Sequence, residues 1–167
     1  MAHTKKAKLA TTTVEAVIAD AFAELTTLGE EMRSWADNMP ENMQSGSKYD
    51  EVTSAADTLE GLQEPDMSEI PDEVKNKEVT YQKATKTSRA ARRDEATGML
   101  SAAAEALREA AEDYNEPEDP KGADESDEAV ADTIQKAEDT KEAVTTLADE
   151  VTELQEEADG VQFPGMY

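Results

Sequence analysis

Apolar residues recur along the first part of the chain at alternating steps of four and three: Val14, Ile18, Ala21, Leu25, Leu28, Met32 and Trp35. Each residue advances about 100° around an α-helix, so this spacing places all seven on one seam, as in a helical bundle or coiled coil. Thr12 and Glu15 stand at the spacing of a capping box, and Pro40 closes the segment, because a residue before proline is pushed out of helical geometry. The pattern predicts a helix over about 12–37, preceded by a flexible tail, 1–11. A polar turn, Asn42 to Gly46, separates it from Tyr49, Val52, Ala56, Leu59 and Leu62. That set predicts a second helix over about 47–61, folded back on the first as an antiparallel hairpin.

Residues 64–72 hold two prolines and read as an extended link. Val79-Thr80-Tyr81 has strand propensity, but no partner strand is evident. A lone strand leaves its backbone groups unpaired, so the expectation is a helix over about 72–114, broken near Thr85–Ser88. Its second part carries Ala96, Leu100, Ala103, Leu107, Ala110 and Tyr114. Residues 115–127 lack apolar anchors and read as an acidic linker. Ser126 or Asp127 is placed to cap a last helix over 128–159, with Val130, Ile134, Ala137, Val144, Leu147, Val151, Leu154 and Ala158 as its buried stripe. Gly160 ends it, and 160–167 form a C-terminal peptide. The fold expected is all-α: an elongated antiparallel helical bundle or coiled-coil hairpin, with an acidic loop and a flexible C-terminal peptide. Its narrow, alanine-rich seams favour self-association through Val14, Ile18, Leu25, Leu28, Met32 and Trp35.

Charge adds a second layer. The 167 residues include 40 Asp and Glu against 16 Lys and Arg, for a net charge of −24. Such a polyanion repels nucleic acid and anionic membranes and favours cationic partners. Residues 28–74 hold 13 acids and two bases, and 109–167 hold 20 acids and three bases. Only 75–93 reverses the sign, with Lys75, Lys77, Lys83, Lys86, Arg89, Arg92 and Arg93 against Glu78. That stretch either pairs with acidic segments of the same assembly or meets a separate acidic partner.

Little in the chain is equipped for catalysis. With no Cys and one His, His3, there is no disulfide framework, zinc ribbon or cysteine nucleophile. Ser45-Gly46-Ser47-Lys48 has the S-x-x-K spacing of serine acyl-enzymes but lacks their companion motifs, and a helix start accounts for it equally well. Asp113 to Glu118 fails the EF-hand pattern at its last two places. The expectation is no enzyme, no catalytic residue, no metal and no cofactor. No run approaches the roughly 18–20 apolar residues of a membrane span, and no secretory signal is recognisable. An intracellular or virion-associated place fits.

In size, acidity and helical pattern the chain resembles the small acidic helical proteins of phages and other mobile elements. That resemblance implies either a DNA mimic that inhibits a nucleic-acid-binding protein or a virion or scaffold component. The first reading expects Glu142, Asp149, Glu150, Glu153, Glu156 and Glu157 to meet a basic protein surface, with Glu109, Glu112 and Asp113 as a second patch. The second assigns the acidity to solubility and the function to the oligomer seam. The ending, with Phe163, Pro164, Met166 and Tyr167, either packs on the bundle or serves as a docking peptide. It is similar, distantly, to the acidic-then-aromatic tips of bacterial single-stranded-DNA-binding proteins.

Overall fold

The computed structural model describes residues 8–114 and 128–165. The acidic linker 115–127, His3, Met166 and Tyr167 lie outside the described residues, as do the expected caps Ser126 and Asp127 and the side chain of Val130. Seven elements follow in order: β1 (Leu9–Thr13), α1 (Val14–Asp37), α2 (Ser47–Glu60), α3 (Asp72–Lys75), β2 (Glu78–Gln82), α4 (Arg89–Glu112) and α5 (Glu128–Asp159). The protein is mostly helical, as its periodicity predicts. The expectation of helices alone needs one correction, because β1 and β2 form an antiparallel ribbon.

The ribbon replaces parts of two predicted features: residues 9–11 of the tail, and residues 78–82 of the helix expected over about 72–114, whose first turn survives as α3. Val79-Thr80-Tyr81 does find a partner, and it is Ala10-Thr11-Thr12, some 70 residues earlier in the chain. The ladder extends past both strands, with Lys83 N–H donating to the Lys8 carbonyl (2.8 Å) and Val14 N–H to that of Lys77 (2.9 Å). The Thr11 and Thr80 hydroxyls meet at 3.0 Å across the strands. Threonine and valine suit such a pleated, half-buried surface because their branched side chains pack across it. Val79 is buried while Glu78, Thr80 and Gln82 face outward, the two-residue alternation of a strand.

Because β1 runs through Thr13, the cap of α1 falls one residue later than expected. Thr13, not Thr12, accepts the Ala16 N–H at 3.2 Å. Ser88 caps α4 in the same way through Ala91 N–H at 3.2 Å, just after the predicted break. At α2 the N-cap is Gly46, without a side-chain cap.

The helices pack as four neighbours. Arg33 of α1 pairs with Asp57 and Glu60 near the end of α2, while Trp35 meets Lys48 at its start, so these helices are antiparallel. Arg89 reaches Glu31 and Arg92 reaches Glu24, which sets α4 antiparallel to α1. Arg108 bonds the Thr152 hydroxyl at 2.8 Å and Arg93 the Val161 carbonyl, which sets α5 antiparallel to α4. The long crossover carrying α3 and β2 lets α2 and α4 point the same way. The ribbon packs on α4 and α1, while α2 and α5 approach each other only sparsely.

The core takes most of the predicted stripes and adds Val17, Met39, Ile70, Val74, Val79 and Met99. Val14, Ile18, Ala21, Leu25, Leu28 and Met32 are all 0% exposed within one chain, so these side chains have no surface left for a second copy. Trp35 is half-buried, its ring lying 5.8 Å from Lys48 Nζ and 5.4 Å from the Arg89 guanidinium. From Val144 onward α5 buries its stripe, whereas Ile134 and Ala137 are only half-buried. The C-terminal peptide is not free as far as it is described. Val161 is buried, and Phe163 packs on the core with Arg93 5.8 Å from its ring.

Candidate acidic interaction surface

Charge on this molecule is sorted by face. The basic stretch is largely spent inside the fold. Arg89 and Arg92 bond Glu31 at 3.2 and 2.7 Å, Arg92 also bonds Glu24, and Lys77 lies 3.3 Å from Glu109. Burial pushes the Glu31 carboxyl up, but hydrogen bonds and charge from Arg92 and then Arg89 outweigh it and hold that carboxyl below its ordinary value. Arg92, opposed by burial, is held more firmly charged by Glu31 and Glu24. Lys75, Lys83 and Lys86 make no ion pair among the described residues.

The face between α2 and α5 has the reverse character. Two depressions of about 540 and 710 Å³ run along it and share Glu157. The first is lined by Glu64, Asp66, Glu150, Glu153 and Glu157, and the second by Asp50, Glu51, Glu156 and Glu157. These are eight carboxylates, and no basic side chain lines either depression. Glu150, Glu153 and Glu157 share one face of α5 because their steps of three and four match the helical repeat.

Backbone electrostatics reinforces the side chains. Gly61, just past α2, borders one depression, and Gly160, near the end of α5, borders the other. Helix C-termini carry roughly half a negative charge and are usually balanced by basic residues. Neither α2 nor α5 has a basic residue in its last turn. Between the rims the floor is apolar: Ala55, Leu154 and Val161 are each 4% exposed. Pro65, Phe163 and Pro164 complete the lining.

Of the residues singled out by sequence, Glu150, Glu153, Glu156 and Glu157 come together here. Asp149 and Glu142 do not. Asp149 faces α4, where it lies 3.8 Å from Arg108, and Glu142 stands exposed on the stretch of α5 before its buried stripe. The second patch stays separate, at the end of α4. There Glu109 is engaged by Lys77, Glu112 and Asp113 are exposed, and the Tyr114 hydroxyl donates to Glu73. Burial first, and then that bond, push the Tyr114 phenol up to about 12. Phe163 and Pro164 line the groove, while Met166 and Tyr167 lie outside the described residues.

Sequence reasoning missed Asp50, Glu51, Glu64 and Asp66. They belong to an acid-rich stretch, but only the placement of α2 beside α5 makes them one surface with the α5 carboxylates. Among the described residues no group of His, Asp and Glu is arranged to hold a metal ion, and no helix is long and apolar enough to cross a membrane. The chain matches no protein-family model, no curated protein and no solved structure.

Proposed function

We propose that this is a non-enzymatic interaction protein whose acidic α2/α5 face occupies a basic surface of a protein partner. The observation that carries this reading is the groove itself: eight carboxylates, no basic side chain in its lining, and two bordering helices whose last turns hold no basic residue of their own. Carboxylates one helical turn apart stand about 5–6 Å from each other, close enough to stand in for neighbouring phosphates of a nucleic-acid backbone. A surface that normally binds DNA is therefore the partner class this face suits best, and competitive occlusion is the mechanism. A seam-assembled scaffold has less to support it, since all of that seam but the half-buried Trp35 is buried within one chain.

The test is a gel-shift competition in which the chain displaces duplex DNA from a purified, basic, sequence-neutral DNA-binding protein. Displacement is expected to weaken steeply with added salt, as screening predicts, and to be lost when Glu150, Glu153, Glu156 and Glu157 are changed to Gln. Undiminished displacement by that variant removes the proposal.

A further inference from the structure

Resting on the acidic-face reading, we infer that the element received between α2 and α5 is a single cationic amphipathic helix, laid lengthwise as a fifth helix of the bundle. The argument is one of shape and floor. α2 packs on α1 and α5 on α4, yet the two outer helices meet only sparsely, which leaves a channel along their length. Its floor is apolar, through Ala55, Leu154 and Val161, and both of its walls are acidic. A flat basic surface touches the rims and leaves the half-buried Phe163 and Pro164, which border that floor, uncovered. A helix about 10–12 Å across, with an apolar stripe flanked by Lys and Arg, covers the floor and meets both walls at once.

Length fixes the rest. The 14 residues of α2 span about 21 Å at 1.5 Å per residue, so the occupant needs about four turns. Its cations fall one turn apart, as do Glu150, Glu153 and Glu157 on the facing wall. The two depressions sharing Glu157 are the places where its apolar side chains enter.

Calorimetric titration of the full chain with three synthetic peptides tests this. The first is an 18-residue Lys/Leu peptide with Leu on one helical face, the second has the same composition with Leu spread around the helix, and the third is oligolysine. The one-faced peptide is expected to bind at least tenfold tighter than the other two and to gain helical circular dichroism on binding. Thr58→Trp, at an exposed position lining the channel, is expected to weaken the one-faced peptide at least tenfold and leave oligolysine unchanged. Glu153→Gln with Glu157→Gln weakens all three. Equal affinity for the three peptides overturns the fifth-helix inference while leaving the acidic-face reading standing. Failure of all three to bind overturns both. The peptide comparison uses the unaltered chain, so it decides even if Thr58→Trp misfolds.

Discussion

Gly29 sits buried in α1, where the end of α2 packs close against it. A Cβ added there would lie 3.1 Å from the Leu59 Cβ, 3.3 Å from the Glu60 Cγ and 3.3 Å from the Glu60 backbone nitrogen. Ordinary carbon contacts are about 3.5–4.0 Å. The backbone nitrogen has no rotamer to turn away, and the Glu60 side chain is held by Arg33 at 2.7 Å. Relief therefore requires α2 to move outward as a body. Gly98, on α4, supplies the matched control, since a Cβ there meets nothing within 4 Å. Gly→Ala in a helix interior gains about 1 kcal/mol from propensity and a less costly ordering of the backbone. At Gly98 that gain stands alone and should raise the melting midpoint by about 2–4 °C. At Gly29 the same gain meets an overpacking cost of about 1–3 kcal/mol. Gly29→Ala should therefore melt no higher than the unaltered chain and lie about 1–3 kcal/mol below Gly98→Ala in chemical denaturation. Equal stabilisation by the two substitutions would refute the close α1/α2 approach and, with it, the placement of the α2 carboxylates.

Leu25→Asp puts an unpaired charge at a site that is 0% exposed. At about 4 kcal/mol or more, against a typical domain stability of about 5–15 kcal/mol, it should remove a large share of the stability and lower the melting midpoint steeply; a variant that melts like the unaltered chain and has merely changed its oligomeric state would contradict the buried seam. In alkaline titration followed by phenolate absorbance, Tyr114 should ionise late, near 12, and Tyr114→Phe should delete that step. Because its folded pKa is raised, the stability tied to Tyr114 is intact below the ordinary phenol value and lost as pH climbs through about 12. Glu31 has the opposite sign: its carboxyl is held low, so its contribution is present above the ordinary carboxylate range and lost as pH falls through its folded value. Arg92→Met should move the Glu31 titration upward in carboxyl-detected NMR, and no movement would contradict the Arg92–Glu31 pairing.

The helices were legible because each carries its own period. The α1 stripe is read from residues a few positions apart, and all of Val14 to Met32 along it is buried. The ribbon was not legible in that way. Leu9 pairs with Gln82 across most of the first half of the chain, and a periodicity within one segment carries no information about a partner so distant. Thr11-Thr12-Thr13 reads as tail or cap until Val79-Thr80-Tyr81 is placed beside it. The acidic surface was half legible for a related reason. Glu150, Glu153 and Glu157 follow from the repeat of α5, but their union with Asp50 and Glu51 depends on how two helices pack. Asp149, expected in the same acidic patch as the other α5 carboxylates, is instead turned toward Arg108 by the packing of α4.

Position, as against bulk charge, is what a matched pair of variants separates. One carries Asp50→Asn with Gln at Glu51, Glu150, Glu153, Glu156 and Glu157; the other carries Asp37→Asn with Gln at Glu30, Glu41, Glu69, Glu105 and Glu138, all exposed and away from the groove. Both have the same net charge. Titrated against the same basic DNA-binding protein at one salt concentration, the groove variant should lose at least tenfold in affinity and the control should stay within about twofold, since distant exposed charges are screened. Equal losses would mean that the partner reads only the chain's overall negative charge, and that the α2/α5 groove is not its site.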